Sequence, residues 1–308
     1  MILGTLAALG AGVLSALPLA IPGGLLFAML SPLPLFLVGL SQGLRGAVIA
    51  GLAACGITAV LTGPLGALSI AVVLAGPAVL LVRQALLNRP LPDGAVEWYP
   101  AGLLVMWLTG IGVAWMVLSI FLLGSGPEGI EAMLRADFDQ ALAAMMPELE
   151  EQARARLGDM AVPFALGAGP LVWLGLLAVN GILAQGALLW IGRALRPAPD
   201  IKQIDLPRWL DVAVAVVLAA ALLASGDIGY VAQNLLIILL LPYLFAGLAV
   251  AHRWIARSGA AAPLLLVPFY VLLLLGWVAP VVVGMGLIDQ VVGHRRRKSG
   301  DGSDQEEE

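Results

Sequence analysis

The chain has 308 residues, 61% of them hydrophobic and 12% charged, with a formal net charge of −4 and a mean hydropathy of +0.99. A soluble domain is roughly 45–50% apolar and ~25% charged, so this composition excludes a soluble globular class and points to lipid. No basic stripe is present, so no nucleic-acid partner is expected, and the single cysteine, Cys55, leaves neither a disulfide framework nor a thiolate metal site.

Apolar segments recur from end to end, each near the ~20 residues that a spanning helix requires. They fall at 2–18, 24–40, 46–62, 66–82, 100–123, 163–192, 209–224, 230–250 and 262–288. The expected fold is all-α: a polytopic transmembrane helix bundle of about 8–10 spans over 1–293. One extracytoplasmic amphipathic helical insert, 127–160, interrupts it, and a charged, disordered tail, 294–308, follows. The first segment carries no Lys or Arg before Arg45, so it reads as a retained span rather than a cleaved signal. Pro32, Pro34, Pro77, Pro170, Pro242, Pro268 and Pro280 lie inside spans, where neighbouring helices can satisfy the freed carbonyls.

The loops alternate in charge. Arg45 follows span two, Arg83 and Arg89 follow span four, Arg193, Arg196, Lys202 and Arg208 follow span six, and Arg253 and Arg257 follow span eight. The connections after spans one, three and seven carry no Lys or Arg. Basic loops stay in the cytoplasm, so the N-terminus is expected there too, in the inner (plasma) membrane of a bacterial cell. Nine crossings would send Arg295 to Lys298 outside, against that rule. The last stretch is interrupted at Gly276-Trp277-Val278-Ala279-Pro280, and two half-length pieces folding back would return the tail inside.

Within the insert, Ile130, Leu134, Phe138, Leu142, Met145 and Leu149 recur at helical spacing, with charge on the other face. Ser125 or Gly126 can cap this helix, with Pro127 at its first position and Glu128 near the positive dipole end. Pro147 should break it and start a second helix with Glu148, Glu150 and Glu151 in the first turn. Membrane-lying helices carry basic polar faces. This face is acidic, so the insert is expected to pack on the outer surface of the protein or to act as a lid.

Most catalytic signatures are missing. The sequence has no phosphate-binding glycine loop with Lys-Ser or Lys-Thr, no His-Glu-x-x-His helix and no Gly-x-Ser-x-Gly elbow. His252 and His294 sit at span ends beside arginines and converge with no other ligand type, so neither a metal nor a cofactor is expected and the chain does not read as an enzyme. Asp211, Asp227 and Asp289 lie near span ends, whereas a proton-coupled pump usually buries a carboxylate in a span.

The remaining pointers are intramembrane amides: Asn180 and Gln185 in span six, Gln233 and Asn234 in span eight. An amide in lipid is costly unless paired, so these face the protein interior. Each makes either an interhelical hydrogen bond or a contact to a bound small molecule, and Tyr243 joins them as a candidate ligand contact. Small residues form stripes. Ala8, Gly12 and Ala16 recur at four-residue spacing in span one, as do Gly46, Ala50 and Ala54 in span three. Such stripes let helices approach closely, within the chain or, for span one, against a partner helix. Trp98, Tyr99, Trp209 and Trp254 suit the membrane interface, with Arg208 able to reach head-group phosphate.

Three elements together resemble the YybS-like bacterial membrane proteins, a family of unknown function. They are Leu206-Pro207-x-Trp209, the Asn234 span ending Pro242-Tyr243-Leu244-Phe245-Ala246-Gly247-Leu248-Ala249-Val250, and the last span ending Gly286-Leu287-Ile288-Asp289 before arginines. The early Pro32-Leu33-Pro34-Leu35 span with Gly39 and Gly43 fits as well. That family is distantly similar to the S components of energy-coupling-factor transporters, which capture vitamins or metal ions. The resemblance implies a transport-related, small-molecule-binding subunit without an ATPase of its own. Ala8, Gly12 and Ala16 would then dock an energising transmembrane subunit that works with an ATPase. The alternative is a structural or assembly membrane protein with no transported ligand.

Overall fold

The computed structural model describes residues 5–7, 9, 10, 12–14, 16, 28–123, 128–199, 204–259, 262–274 and 276–303. Ser125, Gly126, Pro127, Lys202 and Ala8 therefore lie outside the described residues. The described chain is helical apart from one strand pair. It divides into two compact units, Met1–Leu108 with Trp173–Pro199, and Thr109–Val172 with Asp200–Glu308. Among the described residues, four helical runs are long and apolar enough to cross a membrane: Leu44–Ala85, Ala101–Leu122, Glu151–Trp190 and Gly226–Ala256. Shorter apolar helices accompany them.

The first unit contains α1 (Thr5–Leu14), α2 (Pro32–Gln42), α3 (Leu44–Ile70) and α4 (Gly76–Ala85). Pro32 opens α2, where its missing N–H costs no hydrogen bond, and Gly43 at φ 83° closes it. The run from Leu44 to Ala85 has 42 residues. Straight, at ~1.5 Å per residue, it would be about twice the hydrocarbon thickness. Gly63, at φ 85°, and Pro64 break it between the two crossings expected there. A single π-helical turn, Ala71–Ala75, then leads into α4. Small residues set the packing. Ala47, Ala50 and Ala54 are buried, and a Cβ at Gly12 would collide with the Ala50 carbonyl. Ala16 is buried too, so the described members of the first stripe pack within the chain.

The strand pair was not expected. β1 (Asn88–Pro90) and β2 (Val96–Trp98) are antiparallel, with Arg89 opposite Glu97. Pro92-Asp93-Gly94 supplies the turn. Gly94 takes φ 83°, and Asp93 Oδ1 accepts the Ala95 N–H at 3.0 Å. The boundaries between the units fall inside α5 (Ala101–Leu123) and, after the insert, inside α8 (Ala165–Trp190).

After its part of α5, the second unit contains the insert, α6 (Ile130–Met145) and α7 (Glu151–Ala161), broken at Pro147 as expected. Glu150 stands at the N-cap position of α7 without a side-chain capping bond, so only Glu151 of the three glutamates enters the helix. The insert closes on itself through Arg135–Asp159 at 2.7 Å. It also packs on the unit it belongs to, where Ile130 N–H donates to Asp227 Oδ1 at 2.9 Å. α9 (Arg208–Leu223), α10 (Gly226–Leu239), α11 (Leu241–Ala256), α12 (Ala262–Leu274) and α13 (Ala279–Ser303) complete it. The last stretch is thus two helices, separated around Gly276 at φ 78°. α13 continues to Ser303, because no proline interrupts it and helix propagation costs little once begun.

Candidate functional site

Asn234 is fully engaged in hydrogen bonds within the second unit. It is 0% exposed. Its Nδ2 donates to Pro163 O at 3.0 Å and Tyr230 O at 2.9 Å, and its Oδ1 accepts from Gly167 N–H at 2.8 Å. Pro163 and Gly167 are four apart, the pairing that an α-helix would close itself. Here a 3₁₀ turn, Val162–Phe164, leads into α8, and the side-chain amide completes the ladder. One turn before Asn234, Tyr230 donates its hydroxyl to Val162 O at 2.7 Å. Gly167 leaves room for this, since a Cβ there would lie 2.5 Å from the Asn234 carbonyl oxygen. These two α10 side chains therefore clip the start of α8.

The other candidates divide. Gln185 donates to Arg196 O at 2.7 Å. Gln233 is exposed and reaches Ala221 O at 3.4 Å. Tyr243 is fully buried and donates its hydroxyl to Asp211 Oδ1 at 2.5 Å. The structure thus places Asn234, Gln233 and Tyr243 in one unit and Asn180 and Gln185 in the other.

Asn180 is different. It is 1% exposed, and its Nδ2 donates to Met29 O at 2.9 Å and Leu176 O at 2.8 Å, while its Oδ1 has no partner. Ser31, two residues beyond Met29, is 2% exposed, and its Oγ is also unpartnered. Ser31 stands at the N-cap of α2, where a serine oxygen ordinarily accepts a helix N–H, yet it makes no such bond. Two buried side-chain oxygens thus flank the turn that interrupts the second apolar segment. Buried polar groups in native proteins nearly always have a partner, so such a pair calls for an explanation. Ser31 is not legible as a site residue in the sequence, because one serine beside prolines carries no motif.

Arg196 was also missed as a site residue. It is 5% exposed and donates to Ala85 O at 2.9 Å and Tyr99 O at 2.8 Å. It holds the C-terminal carbonyl of α4, where a cation suits the helix dipole. Burial draws its guanidinium below the usual arginine range. Gln290 plays a comparable part in the second unit. It donates to Ile204 O at 2.7 Å and accepts from Leu206 N–H at 3.1 Å. An apolar groove of about 420 Å³ between α1 and α3, walled by Leu9, Val13, Ile57 and Val60, offers no polar contact. No group of three or more potential metal-ligating side chains occurs among the described residues.

The family described as predicted membrane protein (DUF2232) matches residues 11–290, nearly the whole chain. The chain belongs to this family. As a DUF2232 member it is a multi-pass membrane protein whose apolar helices sit in a lipid bilayer. This agrees with the resemblance to YybS-like proteins of unknown function. No curated protein and no solved structure matches it.

Proposed function

We propose that this DUF2232 chain is a transport-related membrane subunit, without an ATPase or enzymatic activity of its own, that recognises a small polar solute. The observation behind the reading is the pair of buried, unpartnered oxygens, Ser31 Oγ and Asn180 Oδ1, beside the turn Met29–Ser31 that leads into α2. Both residues fall near the middle of the apolar segments that contain them. Membrane transporters place solute contacts at that depth, on broken helices, where polar side chains and free backbone groups can replace water. The solute would present a hydrogen-bond donor to Asn180 Oδ1, since that oxygen can only accept.

Mass spectrometry of small molecules retained on purified full-length protein tests this. A retained solute that disappears in Asn180→Leu and Ser31→Ala, with helicity and thermal stability preserved, supports the reading. A folded protein whose retained species are unchanged in both variants removes it. Copurification with a second membrane subunit and an ATPase would support the transport context.

A second reading is that of a structural or assembly protein in the bacterial plasma membrane. What favours it is the use of Asn234 and Gln185 in bonds within the chain. Unimpaired growth and uptake in cells carrying Asn180→Leu, alongside loss of a partner complex on deletion, would favour this second reading.

A further inference from the structure

The unit formed by Met1–Leu108 and Trp173–Pro199 carries its charged side chains at one end. Hydrogen bonds tie its helix ends together there: Leu195 N–H to Leu40 O at 3.2 Å, Tyr99 N–H to Leu87 O at 2.9 Å, and Arg196 to Ala85 O and Tyr99 O. Arg83, Arg89 and Arg193 lie within three residues of these contacts. Arg45 is two residues beyond Gly43, which faces Leu195. With Arg196 these are the only Lys or Arg residues in the unit's sequence, against Asp93 and Glu97 as its only acids. Arg45, Arg83, Arg89 and Arg193 are exposed.

The β1–β2 hairpin at this end forms a crevice of about 320 Å³, lined by Asn88, Arg89, Glu97, Trp98 and Tyr99 among others. Arg89 and Glu97 pair across the strands as an exposed ion pair. Asn88 spends its side-chain N–H on Leu86 O at 3.0 Å. Trp190, at the end of α8, is 89% exposed.

Arginines interleaved with tryptophans at helix ends belong at the level of lipid head groups. The apolar wall of the crevice suits the glycerol end of a lipid rather than an acidic protein surface. Exposed ion pairs contribute little, so a phosphodiester can replace Glu97 on Arg89, whose planar fork matches phosphate. We propose that this crevice binds the head group of an anionic phospholipid, with Arg89 as its main contact and Glu97 as its internal competitor.

Native mass spectrometry of the full-length protein, loaded with phosphatidylglycerol or phosphatidylcholine, tests the assignment. Phosphatidylglycerol should be retained in preference. Arg89→Gln should lower that retention about fivefold, from ~1 kcal/mol per basic residue at a charged surface. Glu97→Gln should raise it, an effect that misfolding cannot produce. Arg135→Gln, in the other unit, should leave it unchanged. Equal retention of the two lipids, indifference to Arg89→Gln, a loss on Glu97→Gln, or complete displacement by equimolar inorganic phosphate would each overturn the proposal.

Discussion

Asn234 illustrates what one side chain can do for a membrane helix. Its amide replaces a backbone hydrogen bond at the junction between a 3₁₀ turn and α8, with distances of 2.8–3.0 Å. Asn234→Leu would leave the Gly167 N–H and Pro163 C=O without that partner in an apolar interior. An unsatisfied buried group costs about 1–3 kcal/mol. Membrane proteins recover part of such a loss through alternative partners, so a net destabilisation of about 1–3 kcal/mol is expected. Thermal unfolding of the purified variant in detergent should register this as a lower midpoint, and an unchanged midpoint would remove the clip from the account. Asn234 was legible in the sequence as an interior amide, but its partners were not. They lie 67 and 71 positions away, and nothing local marks a backbone that will lack its own bond. Ser31 was hidden for a related reason: a serine before a helix normally reads as a cap, and only the structure shows a cap that binds nothing.

At the scale of elements, breaks and small residues decide the arrangement. Gly63-Pro64 and the Gly276–Pro280 interruption could be read directly, because proline and φ > 0 glycine act through local sterics. The Pro92-Asp93-Gly94 turn carried an equally local signal. An eleven-residue polar hairpin nonetheless leaves no mark on hydropathy averaged over the length of a span. The α11–α13 crossing depends instead on two glycines whose meeting the sequence does not announce. A Cβ on Gly247 would strike the Val282 carbonyl, and one on Gly286 would strike the Tyr243 carbonyl. Backbone lies in the way in both cases, so no rotamer change relieves the clash. Gly247→Ala and Gly286→Ala should each lower stability by about 1–3 kcal/mol, the usual cost of overpacking. The double variant should cost less than the two added together, since one separation of the helices relieves both. Additive losses in a detergent unfolding series would mean that the glycines act independently of the crossing.

For the molecule as a whole, the expected sidedness rests on loop charge and on one ion pair. By the loop-charge rule Arg253 and Arg257 are expected in the cytoplasm, and a single crossing after them would export the residues that follow α13's apolar half. Arg253 bonds Asp289 at 2.8 Å, which sets the end of that half beside the basic end of α11. The break at Gly276 allows the chain to go in and return. The tail should therefore share the side of Arg257. Cys55 is the only cysteine, so single cysteines on a Cys55→Ala background give a clean reading. In intact cells, a membrane-impermeant maleimide should label Ala144→Cys in the insert. It should leave Ser258→Cys and Ser299→Cys unlabelled until the membrane is opened. Labelling of Ser299→Cys in intact cells, with Ser258→Cys still protected, would mean that the last two helices cross once. The basic tail would then violate the charge rule that the earlier loops obey. Labelling of both serine positions with protection of Ala144→Cys would invert the whole chain, and with it the cytoplasmic side assigned to the Arg89 crevice.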